Sequence, residues 1–160
     1  MIVLFRALTY ATLFIGLLVV FVPDRILAQA GIVRPAVIGP MQIVAMLVIV
    51  AGATLAIASI LTFAFIGKGT PAPFDPPRKL VIAGPYRWVR NPMYIGAGLV
   101  LLGAAMFYSS IGLVLYAIIF WSMAHLFVLF YEEPVLRRKF GPDYDAYMAS
   151  RRRWMPRWRS

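Results

Sequence analysis

The chain has 160 residues, of which 62% are hydrophobic and only 14% charged. Soluble domains average roughly 45–50% apolar and about 25% charged residues, so the composition suits lipid and excludes an ordinary water-soluble domain. There is no Cys, which removes disulfides, thiolate nucleophiles and Cys-based zinc or iron–sulfur sites, and the net charge of +10 lies in the gaps between apolar runs and in the tail. That placement matches anionic lipid headgroups rather than nucleic acid.

A helix crossing ~30 Å of hydrocarbon needs ~20 mostly apolar residues. Four segments approach that length: 2–22, 41–66, 92–108 and 111–131. The expected fold is all-α, a polytopic integral membrane helix bundle of about four transmembrane helices forming one domain over residues 1–160. In it, 1–66 hold two N-terminal spans, 67–91 a cytoplasmic loop, 92–131 a C-terminal helical hairpin turning at Ser109 and Ser110, and 132–160 a tail of short cytoplasmic helices. A signal peptide is the alternative for the first run, because Ala28-Gln29-Ala30 looks like a cleavage site. The run exceeds the usual ~7–15 apolar residues and has no cationic region before it.

In the second span Ala45, Gly52, Ala56 and Ser59 fall nearly on one face, a small-residue stripe suited to close helix packing. After it, 67–77 is rich in Gly and Pro and reads as extended or irregular. Charge then sets the orientation. The gap between the first two spans holds Asp24, Arg25 and Arg34, and the gap between the last two holds no charge. The 67–91 loop carries Lys68, Arg78, Lys79, Arg87 and Arg90 against Asp75, and the tail carries eight basic residues against Glu132, Glu133, Asp143 and Asp145. The positive-inside rule places loop, tail and both termini in the cytoplasm, with the chain in the plasma or inner membrane.

The stretch from Gly84 to Gly96, GPYRWVRNPMYIG, brings a basic, aromatic loop straight into a span. Pro92 suits the first helical position and makes Asn91 a natural N-cap. The free amides of the first turn then form an anion site, and Arg87 and Arg90 beside it offer charge-assisted hydrogen bonds to a carboxylate or phosphate. A helix cap with snorkelling arginines and an interfacial aromatic belt is the plainer reading. At the far end of the fourth span comes Tyr131-Glu132-Glu133-Pro134. Adjacent helical residues point ~100° apart, but Pro134 is expected to break the helix and turn both acids inward; pairing of Glu133 with Arg137 is the bland alternative. His125, the only histidine, lies on the same side as Glu132; a neutral hydrogen-bonding ring and a catalytic base are both open. Phe140-Gly141-Pro142 marks a stop before a short helix through Tyr144 and Tyr147 to Arg151, and the basic, aromatic 151–158 suits a headgroup surface.

Gly84-Pro85-Tyr86, the run Arg90-Asn91-Pro92-Met93-Tyr94-Ile95-Gly96, Glu132-Glu133, the segment from Phe140 to Tyr147 and Arg153-Trp154-Met155-Pro156 together closely resemble the isoprenylcysteine carboxyl methyltransferase and phospholipid methyltransferase superfamily. The resemblance covers roughly 80–158, about half the chain. It implies an integral membrane enzyme that binds S-adenosylmethionine between the last hairpin and the tail and admits a lipophilic or prenylated acceptor sideways from the bilayer. Carried onto this chain, it implies Arg90, Asn91 and Glu132 at the chemistry, and Gly84, Pro85, Tyr86, Arg90, Asn91, Pro92, Tyr94, His125, Glu132 and Glu133 around the cofactor, with no metal. The family pattern usually reads Arg-His-Pro, whereas this chain has Asn91, which keeps a cap and removes an imidazole.

The physical needs of the cofactor fit the same residues. Arg90 and the helix start suit its carboxylate, Glu132 or Glu133 its diol or ammonium, and Tyr86, Tyr94 or Trp88 its base. Methyl transfer is an in-line displacement that asks the protein for alignment and exclusion of water. Two other classes stay open. An NADPH-dependent membrane lipid reductase would use the arginines for a 2′-phosphate, as a rather similar Arg-His-Pro-x-Tyr segment in sterol reductases suggests. A non-catalytic membrane protein would bind anionic lipid through its tail.

Overall fold

The computed structural model describes Thr9, Leu13 and residues 15–67 and 77–156. Most of the expected first span at 2–22, most of the Gly- and Pro-rich stretch at 67–77 and the end of the basic tail lie outside the described residues. Among the described residues every regular element is helical. A π-helical segment Gly16–Phe21 runs into α1 (Val22–Gln29). Then come α2 (Pro40–Thr62), α3 (Pro92–Phe107), α4 (Ile111–Phe127), α5 (Glu133–Phe140) and α6 (Pro142–Ser150).

Prolines explain where several of these helices start. Pro40, Pro92 and Pro142 each stand in a first turn, where a missing N–H costs nothing. α2 continues through a π turn at Phe63–Gly67, and α4 through another at Val128–Glu132 into α5. Two continuous apolar helices result, Pro40–Gly67 with 28 residues and Ile111–Phe140 with 30. At 1.5 Å per residue each is over 40 Å long, about enough to cross the hydrocarbon and project beyond it. α3 is apolar but shorter, at 16 residues.

The break expected at Pro134 does not occur. In a regular helix the proline ring clashes with the carbonyl four residues back. Here the backbone widens one turn earlier, with the N–H of Glu133 donating to the carbonyl of Val128. Glu133 keeps helical dihedrals, and the helix passes through Pro134 to Phe140.

α3 packs most extensively on α2, and the expected small-residue stripe is the reason. Ala45, Gly52, Ala56 and Ser59 are all buried. A Cβ placed on Gly52 would lie 2.7 Å from the carbonyl oxygen of Gly96, and one on Gly96 would lie 2.6 Å from both Ala56 N and Gly52 O. Backbone therefore meets backbone, and dispersion over a long contact replaces the hydrophobic drive that lipid cannot supply. α3 and α4 form the expected hairpin across a three-residue turn. Ser110 is buried at the N-cap of α4, and its Oγ accepts a hydrogen bond from Leu113 N at 3.3 Å. At the other face Tyr116 Oη donates to Leu18 O at 2.8 Å, tying α4 to the π segment before α1.

Candidate functional site

The site is assembled where α3 begins and the long helix of α4 and α5 passes it. Before α3 the chain makes a one-turn 3₁₀ helix, Gly84–Arg87. Gly84 has φ +56°, and a Cβ there would lie 2.6 Å from Thr62 Oγ1, so both its backbone and its close seat at the end of α2 require glycine. Tyr86 is buried behind it, with its ring 6.1 Å from that of Phe63. Gly84 and Pro85 thus set the approach of the chain to α2, while Trp88 is 64% exposed.

Asn91 occupies the cap position of α3 and is buried, but its side chain does not cap. Its Nδ2 donates instead to the carbonyl of Arg153 at 3.3 Å. The amides of Met93 and Tyr94, in the first turn, therefore have no side-chain acceptor from the cap. One residue earlier, Arg90 N donates to Arg152 O at 3.1 Å. Residues 151–156 form a strap laid across the start of α3.

Both carboxylates of the acidic pair face this region, an arrangement the π turn achieves in place of the expected break. Glu132 Oε2 accepts from Tyr94 Oη at 3.1 Å. Glu133 accepts two hydrogen bonds from Arg153, Nε to Oε1 and Nη2 to Oε2, both 2.8 Å. Arg90 Nη1 lies 3.0 Å from Glu133 Oε1, close enough for an ion pair but not aligned as a hydrogen bond. Among the described residues the buried Nε of Arg90 has no acceptor. Glu133 is thus a nearly buried anion between two cations, while Arg137 pairs with Asp145 at the surface. The fork from Glu133 also raises the pKa of the Arg153 guanidinium above its ordinary value.

Three tyrosines close the network. Tyr147 Oη donates to Tyr86 O at 2.7 Å, tying α6 to the 3₁₀ turn. Burial raises the hydroxyl pKa values of Tyr86, Tyr144 and Tyr147, with Glu132 adding to the effect at Tyr86 and Glu133 at Tyr144. All three are neutral at ordinary pH. On the apolar side, Trp154 turns back from the strap toward the helices. Its Nε1 donates to His125 Nδ1 at 3.0 Å, and its ring meets Trp121 and Tyr94 edge-on with centroids at 5.0 and 6.5 Å. Gly98 makes room for Trp121, whose indole occupies the space a Cβ would take.

Of the residues singled out in the sequence, Arg90, Asn91, Pro92, Tyr94, Glu132 and Glu133 therefore converge. His125 joins them through Trp154, and Tyr86 stands behind them. Arg153 and Trp154, in a tail read as suited to a headgroup surface and placed beside the pocket only by the resemblance, were not among the expected site residues; both turn inward, Arg153 to Glu133 and Trp154 to His125. One available signal was the second acid of the pair, since a buried carboxylate demands a cation and the tail offers one next to an aromatic.

The family model described as phospholipid methyltransferase matches residues 40–143, from the start of α2 into α6. No curated protein and no solved structure matches the chain. The matched range contains Arg90, Asn91, Tyr94, His125, Glu132 and Glu133 and stops before the strap. With two helices among the described residues long and apolar enough to cross a bilayer, and a match over more than half of its length, the chain is a membrane protein that belongs to the phospholipid methyltransferase family, a membership that implies methyltransferase activity and suggests a lipid substrate.

Proposed function

We propose that the protein transfers a methyl group from S-adenosylmethionine to a lipophilic acceptor, an isoprenylcysteine carboxylate, a phospholipid amine or a similar group, at the cytoplasmic face of the membrane. One observation carries the reading beyond the family. The start of α3 and the acidic pair are about forty residues apart in the chain, yet they meet in one polar cluster at the end of an otherwise apolar bundle.

The residues present fit the cofactor. The uncapped amides of Met93 and Tyr94 and the unpartnered Arg90 Nε are donors in want of an acceptor, which a carboxylate supplies. Glu132, which accepts from Tyr94, offers a further acceptor for hydroxyl or ammonium groups. Tyr94 and Trp154 present rings for a base or a cationic centre. S-adenosylmethionine supplies the activated methyl group and a neutral thioether as leaving group. The chain itself fixes alignment through Arg90, Asn91 and Tyr94 and excludes water with the strap. A carboxylate acceptor needs no base; an amine acceptor needs one only to become neutral. The basic 78–90 and 137–153 stretches favour the cytoplasmic side and contact with anionic lipid.

Calorimetric titration of detergent-purified protein with S-adenosylhomocysteine is the direct test. Saturable binding is expected, weakened by Glu132→Ala, and no heat at millimolar ligand rejects the reading. Incubation with radiolabelled methyl donor and a total lipid extract, followed by separation of labelled species, names the acceptor.

A further inference from the structure

His125 is the only histidine of the chain, which makes its ring unusually easy to observe. Its Nδ1 accepts the hydrogen bond from Trp154 Nε1. An indole N–H donates and cannot accept, so it binds only an unprotonated ring nitrogen. The proton of the neutral imidazole then sits on Nε2. Trp154 is itself fixed by Trp121 and Tyr94 and by the neighbouring Arg153, which Glu133 clamps with two hydrogen bonds. Tyr94 binds Glu132, so His125, Trp154, Tyr94 and Glu132 form one contiguous chain of contacts.

We infer that Trp154 is a positioning residue of the methyl-transfer site: it holds His125 as an Nε2–H hydrogen-bond donor toward the bound reactants and, by occupying Nδ1, keeps that ring from serving as a proton acceptor. The inference rests on the methyltransferase reading above. With one nitrogen carrying the proton and the other bonded to the indole, the neutral ring has no free lone pair. A proton released by an amine acceptor therefore goes to another group or to water. The strap thereby does two jobs with adjacent residues, Arg153 neutralising Glu133 and Trp154 choosing the tautomer of His125.

Protein labelled with ¹⁵N in histidine alone contains one imidazole, and long-range ¹⁵N–¹H correlation in micelles reads its tautomer. The unmutated protein is expected to show a protonated Nε2 and an unprotonated Nδ1; Trp154→Phe, which keeps a ring and removes the donor, is expected to show a mixture. With labelled methyl donor and lipid extract, Trp154→Phe lowers kcat by about tenfold, the scale of one lost hydrogen bond in an aligned site, with KM for the donor unchanged within about twofold. His125→Gln keeps an N–H donor and cannot act as a base, so it holds activity within about fivefold, whereas His125→Ala loses more than about tenfold. These two variants and the spectrum of the unmutated protein decide the matter even if Trp154→Phe fails to fold. An Nδ1–H or averaged ring in the unmutated protein, an unaltered kcat in Trp154→Phe, or a His125→Gln as inactive as His125→Ala overturns the positioning role while methyl transfer stands. Absence of any labelled lipid with the unmutated protein overturns the methyltransferase reading and this inference with it.

Discussion

The interface of α2 with α3 and the polar cluster at the start of α3 are neighbours, yet they are built on opposite principles. The first is made by leaving side chains out: Gly52, Gly96 and Gly103 let backbones touch, and no charged group takes part. The second is made by bringing charged side chains in from distant parts of the chain, Arg90, Glu133 and Arg153, and burying them together. In lipid the first kind of contact is insensitive to salt and intolerant of volume. The second is tolerant of volume and intolerant of any change in charge balance. A bundle held rigid by the first can present the second in a fixed geometry, which is what alignment for methyl transfer requires.

The comparison breaks most sharply at Gly96. Gly96→Leu would drive a branched side chain into backbone atoms of Gly52 and Ala56, which cannot move aside without separating two helices. The expected loss is about 3 kcal/mol or more, at the upper end of overpacking, seen as a large fall in thermal midpoint in detergent and loss of ligand binding with it. Next comes Glu133→Gln. It preserves shape and leaves two guanidinium groups facing each other with no anion between them. Breaking a buried pair costs roughly 3–5 kcal/mol, and because Arg153 is a quarter exposed the expected loss is about 2 kcal/mol. Its signature differs from that of Gly96→Leu: the strap comes loose, so trypsin cuts within 151–153 much faster while the helices persist by circular dichroism.

The same contrast explains what could be read from the sequence. The stripe Ala45, Gly52, Ala56, Ser59 is visible because helical periodicity is a local property, and Pro92 announces the start of α3 for the same reason. Arg90 and the acidic pair were legible as candidates because charged groups at a membrane edge are costly. Their partners were not. Asn91 was expected to cap its own helix; it bonds to the carbonyl of Arg153, 62 positions away. Trp154 was expected at the headgroups; it reaches back 29 positions to His125. Pro134 was expected to stop a helix, and a single widened turn at Val128–Glu132 absorbs it. Local rules state what a residue prefers when nothing else competes, and in each of these cases a tertiary partner competes and wins.

A smaller effect is expected from removing a neutral hydrogen bond in the cluster. Tyr147→Phe deletes the donor to Tyr86 O and leaves that buried carbonyl without it. About 1 kcal/mol of stability should be lost, with the 3₁₀ turn before α3 loosened but present. Amide hydrogen exchange across 84–91 should quicken while exchange in α2 and the body of α3 stays the same. Equal quickening in both would mean that the two regions are not separable units.

The smallest effect sharpens the comparison by looking at a carboxylate–guanidinium pair outside the cluster, at the surface. Arg137 Nε lies 2.8 Å from Asp145 Oδ1, as close as Arg153 lies to Glu133, but it is a single contact not aligned as a hydrogen bond, and the Arg137 and Asp145 side chains are 64% and 45% exposed against 25% and 13% for Arg153 and Glu133. Water and salt screen the outer pair, and ordering two long side chains offsets most of what remains. Arg137→Ala should therefore cost less than about 0.5 kcal/mol and leave S-adenosylhomocysteine affinity unchanged, within the error of a melting curve and a titration. The two ion pairs have the same length, so if Arg137→Ala proved as damaging as Glu133→Gln, neither burial nor the two-hydrogen-bond fork would be what distinguishes the cluster from the surface. The inner network would then be an ordinary set of charges rather than a site whose geometry depends on being desolvated.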